Sequence, residues 1–195
     1  MLLNKLLPAA TLIGVAALAG TSPASAAAQR YTIDPSHTFP SFDFGHMGIS
    51  IWRGKFDRTS GTVTLDLKAR TGTVDINVDT ASINFGLDAM DTRARTDQYL
   101  KTGTFPTATY KGKLTFTGDT PTGVDGQLTL MGVTRPVPLK LDLFKCIRRP
   151  GPGGTAQVCG ADARGEFHWG DFGMAKFPDG SDTIHLQIQV EAEQD

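Results

Sequence analysis

The residues able to do chemistry are few and scattered. Histidines stand at His37, His46, His168 and His185. No two are spaced four apart, so no helix can offer a pair to zinc as a His-Glu-x-x-His motif does. The chain has no Gly-x-Ser-x-Gly run, and therefore no hydrolase nucleophile elbow. Asp171-Phe172-Gly173 spells the magnesium motif of kinases, but no His-Arg-Asp loop and no glycine-rich loop precede it, so the match is one of letters. These spacings give no reason to expect an enzyme.

Cys146 and Cys159 flank a stretch rich in Gly and Pro, Ile147 to Gly154. In an oxidising compartment this spacing reads as a disulfide across the base of a flexible loop. Closing about 15 residues stabilises by roughly 3 kcal/mol in the chain-entropy account. Two buried thiols are the alternative. A metal site is less favoured, because no second Cys-x-x-Cys or His-x-x-x-His accompanies the pair.

The elements that must position these residues are strands. Phe42, Phe44 and His46 alternate with Ser41, Asp43 and Gly45. The same period of two runs through Val63-Leu65-Leu67, Val74-Ile76-Val78, Tyr110 to Phe116, Leu139-Leu141-Leu143 and Ile184-Leu186-Ile188-Val190. Repeated period-two alternation predicts half-buried antiparallel strands. Turn signals separate them at Ser60-Gly61, Thr71-Gly72, Gly118-Asp119 and Pro178-Asp179-Gly180. A closed barrel would remove the two free edges of such a sheet. Only Leu87 to Lys101 breaks the pattern. It has Met90 and Ala94 at i, i+4 among charged residues and predicts one short helix ending near Gly103.

Residues 1–26 read as a cleavable signal peptide. Lys5 gives the positive start, Leu6 to Gly20 the apolar run, and Ala24-Ser25-Ala26 the small-x-small site, with cleavage after Ala26 or alternatively Ala28. Residues 27–195 are one domain's worth of chain. The protein is expected to be periplasmic or secreted. Its formal charge of -1, with no basic patch, argues against a nucleic-acid partner.

The stretch Tyr31 to Phe56, YTIDPSHTFPSFDFGHMGISIWRGKF, resembles the opening of the YceI family: Tyr/Trp-x-Ile-Asp, a His, then Phe, His-Met-Gly and Gly-x-Phe. Ala81-Ser82-Ile83, Phe105-Pro106, Gly126 to Val137 and Asp171-Phe172-Gly173-Met174 resemble its later signatures, in order. Thr38, Pro40 and Trp169 depart from the usual residues. The resemblance implies an all-β fold, an antiparallel eight-stranded lipocalin-like β-barrel with one short α-helix. It further implies an apolar cavity that holds an isoprenoid lipid, a polyprenyl chain or isoprenoid quinone, with no other cofactor. Within that family the Asp-Phe-Gly element marks a bend between strands.

A barrel of about eight strands is wide enough either to fill with its own side chains or to hold one small ligand. The inward set is aliphatic and Phe, with 2 Trp in the whole chain, which permits a tunnel. Expected lining residues are Phe42, Phe44, Tyr110, Phe116, Leu141, Ile184, Leu186 and Ile188. His46 is the polar residue on an apolar face. It would meet a headgroup or quinone oxygen, although a core histidine bonded to backbone is the favoured reading. Arg93 and Arg95 read as a solvated helix face, with an anionic headgroup as the alternative. A membrane enzyme receiving the lipid, and a homodimer, complete the partners considered. The rival reading is an enzyme or stress-response module acting on or near such lipids, with a packed barrel and no carrier role.

Overall fold

The structure is a computed structural model that describes residues 28–149, 156–174 and 182–195. The expected signal peptide, the turn at Pro178-Asp179-Gly180 and the middle of the loop between the cysteines lie outside the described residues. Twelve strand segments follow one another: β1 (Gln29–Ile33), β2 (Phe39–His46), β3 (Ser50–Phe56), β4 (Thr59–Asp66), β5 (Thr71–Asp79), β6 (Ile83–Asn84), β7 (Thr107–Thr117), β8 (Thr120–Leu130), β9 (Val133–Pro136), β10 (Leu139–Arg148), β11 (Gln157–His168) and β12 (Thr183–Gln194). The helix α1 (Asp88–Arg95) lies between β6 and β7.

The segments make eight antiparallel staves, because β1–β2, β3–β4, β5–β6 and β9–β10 are each one stave interrupted by a bend. The ring closes on β12. One side of β12 pairs with β11; the other pairs with β2 over Phe39 to Asp43 and with β1 over Tyr31 to Ile33. Closure satisfies the backbone groups that an open sheet leaves unpaired.

The bends are built from short polar side chains. Between β1 and β2, Pro35 lacks an N–H to donate. Asp34 Oδ1 accepts the Ser36 N–H at 2.8 Å and its Oδ2 binds His37 Nδ1 at 2.8 Å. The Thr38 hydroxyl bridges the gap, donating to the Glu191 carbonyl at 3.2 Å and accepting the Glu191 N–H at 3.1 Å. Between β3 and β4, Ser82 takes over: its carbonyl accepts Asp57 N–H at 3.0 Å and its Oγ accepts Arg58 N–H at 3.0 Å. The Ala81-Ser82-Ile83 element thus bridges a break in a neighbouring stave.

Two expectations from alternation fail for local reasons. In β10 the register shifts between Leu141 and Leu143. The extra residue of such a bulge inverts the faces beyond it. Leu143 therefore turns outward, 54% exposed, and Phe144 turns in. Leu67 lies past the end of β4 in the turn before β5 and is exposed.

The helix is shorter than the predicted Leu87 to Lys101. It stops at Arg95, where Thr96 becomes extended and its hydroxyl donates to the Arg93 carbonyl at 2.7 Å. Such side-chain bonds compete with helical ones. Acidic Asp88 and Asp91 occupy the first turn and Arg93 and Arg95 the last, the order that suits the helix dipole. The buried Asp91 carboxylate accepts the Phe85 N–H at 2.7 Å, and Arg95 donates to the Ile83 carbonyl at 3.0 Å. Both bonds tie the helix to the end of β6, across one end of the barrel.

Candidate ligand-binding lumen

A cavity of about 460 Å³ runs inside the barrel. That lies within the ~300–1,000 Å³ range of small-molecule sites. One end is framed by the β2–β3 hairpin, α1 and the turn Trp169–Phe172; the other reaches Tyr31, Leu65, Cys159 and Ala192 near the chain termini. We call the first end the mouth and the second the base.

Eight of the nine residues expected to line a ligand face this cavity: Phe42, Phe44, His46, Tyr110, Leu141, Ile184, Leu186 and Ile188. Phe116 does not. A register shift between Thr115 and Phe116 sets it against Pro121. It packs with Tyr31, Leu65 and Ala192 in the cluster at the base, and so buttresses the wall without bordering the space. Residues missed from the sequence include Phe144, hidden by the β10 bulge, and Trp52, Phe85 and Tyr99 near the mouth; Arg93, read as a solvated helix face with a headgroup contact as the alternative, is exposed and also borders the cavity. Met90 and Ala94, the predicted stripe of the helix, both face the cavity.

An aromatic cluster forms the upper wall. The Phe42 ring lies 5.7 Å from Phe56 and 5.6 Å, edge-on, from Phe85. Gly54 makes this possible, because a Cβ there would sit 2.7 Å from Phe42 Cζ and 3.0 Å from Phe85. Such edge-to-face packing is favoured by the ring quadrupoles. His46 is half-buried at the mouth, and its ring stacks on Trp52 with centroids 4.2 Å apart. The expected backbone-bonded core histidine is thus corrected: the strand ends at His46, so its ring meets an indole at the rim.

The two buried tyrosine hydroxyls at the lumen wall are occupied, whereas the Oγ1 of Thr59, also at the wall and buried, has no hydrogen-bond partner among the described residues. Tyr110 donates to the Val137 carbonyl at 2.8 Å. Burial, aided by the negative charge of Asp125, pushes its phenol far above the usual range, so it stays protonated as a donor. Tyr31 donates to Gln157 Oε1 at 2.6 Å, and burial raises its phenol as well. The wall therefore presents mostly carbon to an occupant, with Thr59 Oγ1 as its one unbonded buried hydroxyl among the described residues.

The base is stapled. Cys146 and Cys159 face each other across β10 and β11 and form a disulfide, S–S 2.01 Å with Cα atoms 4.0 Å apart. Among the described residues no group of three His, Cys, Asp or Glu could hold a metal ion. Asp171 and Phe172 close the turn after β11, with Gly173 in the left-handed region at φ 82°. Phe172 is a buried core residue, its ring 5.1 Å from Phe167.

The YceI-like domain profile matches residues 31–192. The chain belongs to the YceI family. It is 31% identical over 177 residues to the protein YceI of Escherichia coli O6:H1, spanning 89% of this chain and 91% of that one. Among solved structures, the Campylobacter jejuni YCEI protein superposes with a TM-score of 0.64 at 23% identity, covering 78% of this chain and 90% of that one. A domain from Saccharophagus degradans, described as a polyisoprenoid binding domain implicated in plant cell wall breakdown, superposes with a TM-score of 0.56 at 16% identity, covering 85% of this chain and 98% of that one. These structural likenesses show the fold. The YceI resemblance read from Tyr31–Phe56 and the later signatures is thereby shown, as is the antiparallel eight-stranded barrel with one helix.

Proposed function

We propose that this YceI protein binds and carries an isoprenoid lipid, a polyprenyl chain or isoprenoid quinone, in its barrel lumen. The observation that carries the reading is the continuous, largely apolar cavity from mouth to base, whose Tyr110 and Tyr31 hydroxyls are already bonded within the protein. Each CH2 moved from water into such a wall contributes about 0.8 kcal/mol, so a long chain needs no polar contact along its length. The description of the Saccharophagus degradans domain supports the same class of ligand. The role is binding without catalysis: the lumen positions a chain, and the family and this neighbour point to a binder.

The carrier reading places the protein in the periplasm or outside the cell, delivered by the signal peptide at residues 1–26. There it would sequester the lipid or pass it to a membrane enzyme, as a monomer or a homodimer. N-terminal sequencing of exported protein should begin at Ala27 or Gln29; material beginning at Met1 would count against export.

Native mass spectrometry of gently purified protein tests the central claim. A co-purifying mass released by organic solvent and identified as a prenyl lipid is the expected result. An apo mass under every condition, together with no uptake of added prenol, would overturn the carrier reading in favour of a barrel with another role.

A further inference from the structure

The apolar surface of the lumen continues outward over the rim. Met47 borders the cavity and is nevertheless 64% exposed. Ile49 is 81% exposed, Leu87 59% and Ile51 54%. Met47 and Ile49 form the tip of the β2–β3 hairpin. Ile51 alternates with Trp52, which faces the cavity, and so points outward. Leu87 follows two residues after Phe85, whose ring lies 6.5 Å from that of Trp52. The other exposed large apolar residues among the described ones, Leu67, Leu143 and Ile147, lie toward the base.

The hairpin tip is unusual in its backbone as well. The Ile49 N–H donates to the His46 carbonyl at 3.1 Å, with φ 55° at Met47 and 70° at Gly48. Two successive positive φ values are the type I′ pattern, which ordinarily takes Asn-Gly or Asp-Gly. A methionine is disfavoured in that conformation, and a solvated turn would favour Asn or Asp. Folding alone does not account for Met47 and Ile49 in these places; contact with an apolar phase does. The charge of the hairpin has one sign. From Phe44 to Lys55 there is no acid. Lys55 pairs with Asp57 at 2.9 Å. Arg53 is exposed and makes no ion pair among the described residues, because its cross-strand neighbour Asp43 accepts from Gln187 instead. Elsewhere around the opening the exposed charges are mixed, Asp88, Asp97 and Asp171 with Arg93 and Lys101.

We propose that this rim docks on a phospholipid bilayer, with Met47 and Ile49 inserted at the headgroup–acyl boundary and the Arg53 guanidinium reaching back to the anionic surface. Apolar side chains beside a long cation are the composition that lies in such an interface. The opening of the lumen then meets the acyl layer, and a chain passes from bilayer to barrel without crossing water. That passage rests on the carrier reading, whereas the docking surface itself is independent of it.

Flotation of the full mature protein with vesicles tests the surface. Wild type should float with phosphatidylcholine vesicles, and about fivefold more tightly with vesicles of equal phosphatidylcholine and phosphatidylglycerol, the scale of one cation near an anionic surface. That preference should vanish in Arg53→Gln and shrink with added salt. The double variant Ile49→Ser, Ile51→Ser should lose about tenfold or more in affinity for both vesicles, and Leu87→Ser should lose less. None of these four residues borders the cavity. Each variant should therefore take up geranylgeraniol from dilute solution as wild type does, but acquire it from vesicles severalfold more slowly. Wild type that fails to float, or a double variant that floats equally well, overturns the docking surface. So does a wild type that instead self-associates through this rim, seen in sedimentation velocity as a dimer that the double variant lacks. Wild type that floats yet takes up no geranylgeraniol overturns the carrier reading and leaves the docking surface standing.

Discussion

The Tyr110 hydroxyl donates to the Val137 carbonyl at 2.8 Å, and its ring crosses the inner face of β8 directly over Gly126. Val137 sits between Pro136 and Pro138, where the stave β9–β10 bends and neither proline can donate. The bend keeps its contact with β8 through the Val137 N–H, bonded to the Gly126 carbonyl at 2.9 Å. Three residues from three staves thus fix one corner of the barrel.

That corner predicts two distinct losses. A Cβ on Gly126 would stand 2.2 Å from the Tyr110 Oη, so Gly126→Ala should displace the ring and destabilise by about 1–3 kcal/mol, the range for overpacking. Tyr110→Phe leaves the Val137 carbonyl without its donor and should cost about 1 kcal/mol. Urea unfolding of each variant, at unchanged m-value, checks both; a Gly126→Ala protein as stable as wild type would show that the ring is not constrained as described.

Lumen volume should control uptake. Ala163 is buried and borders the cavity. Ala163→Phe should fill part of it and lower retained lipid severalfold with little change in melting temperature. Native mass spectrometry measures retention, and circular dichroism the fold. Undiminished retention would mean the chain does not pass Ala163.

The turn at Asp34 should respond to pH on both sides. Hydrogen bonds from the Ser36 side chain, from His37 and from the Ser36 N–H hold the Asp34 carboxyl down at about 2. Its contribution is present above the ordinary carboxylate range and is lost as pH falls through that depressed value. His37 is raised, first by its hydrogen bond to Asp34. Its contribution is complete below the ordinary histidine pKa of about 6.5 and is lost as pH rises through the higher folded value. The turn is therefore tightest between roughly pH 4 and 6.5. NMR titration should find His37 above the ordinary range, and Asp34→Asn should return it there. An unchanged His37 titration in that variant would reject the coupling.

Reduction should loosen the base. Cys146 and Cys159 are separated by 13 residues, and a closed loop of that order is worth about 3 kcal/mol. The double Ser variant should lose about that much, and intact mass should show the oxidised form before treatment with reductant. Native-like stability of the double variant would mean the β10–β11 ladder suffices.

The legible part of this molecule was its alternation and its turns. Strand faces followed from Val74-Ile76-Val78 and Ile184 to Val190 because nothing interrupts the pleat there. The illegible part began where one residue was inserted. The run Leu139-Leu141-Leu143 looks uniform, yet the bulge after Leu141 exposes Leu143 and brings in Phe144. Phe116 keeps its place in the alternation of β7, but beside the shift in β8 it packs into the cluster at the base and does not border the space. Helix length was misjudged because a single hydroxyl, that of Thr96, ended it. His46 was visible as a polar residue on an apolar face, but its partner Trp52 lies across a hairpin, and no spacing rule links a ring to the one it will stack upon.

The placement of β12 sets the order of events in assembly. Its dozen residues complete the seam with both β11 and the opening staves, so a nascent chain lacking them possesses two raw borders and no enclosed interior. The interior cannot be enclosed until β12 has been made. A truncation that deletes Ile184 to Val190 should therefore yield an aggregating sheet instead of a smaller vessel.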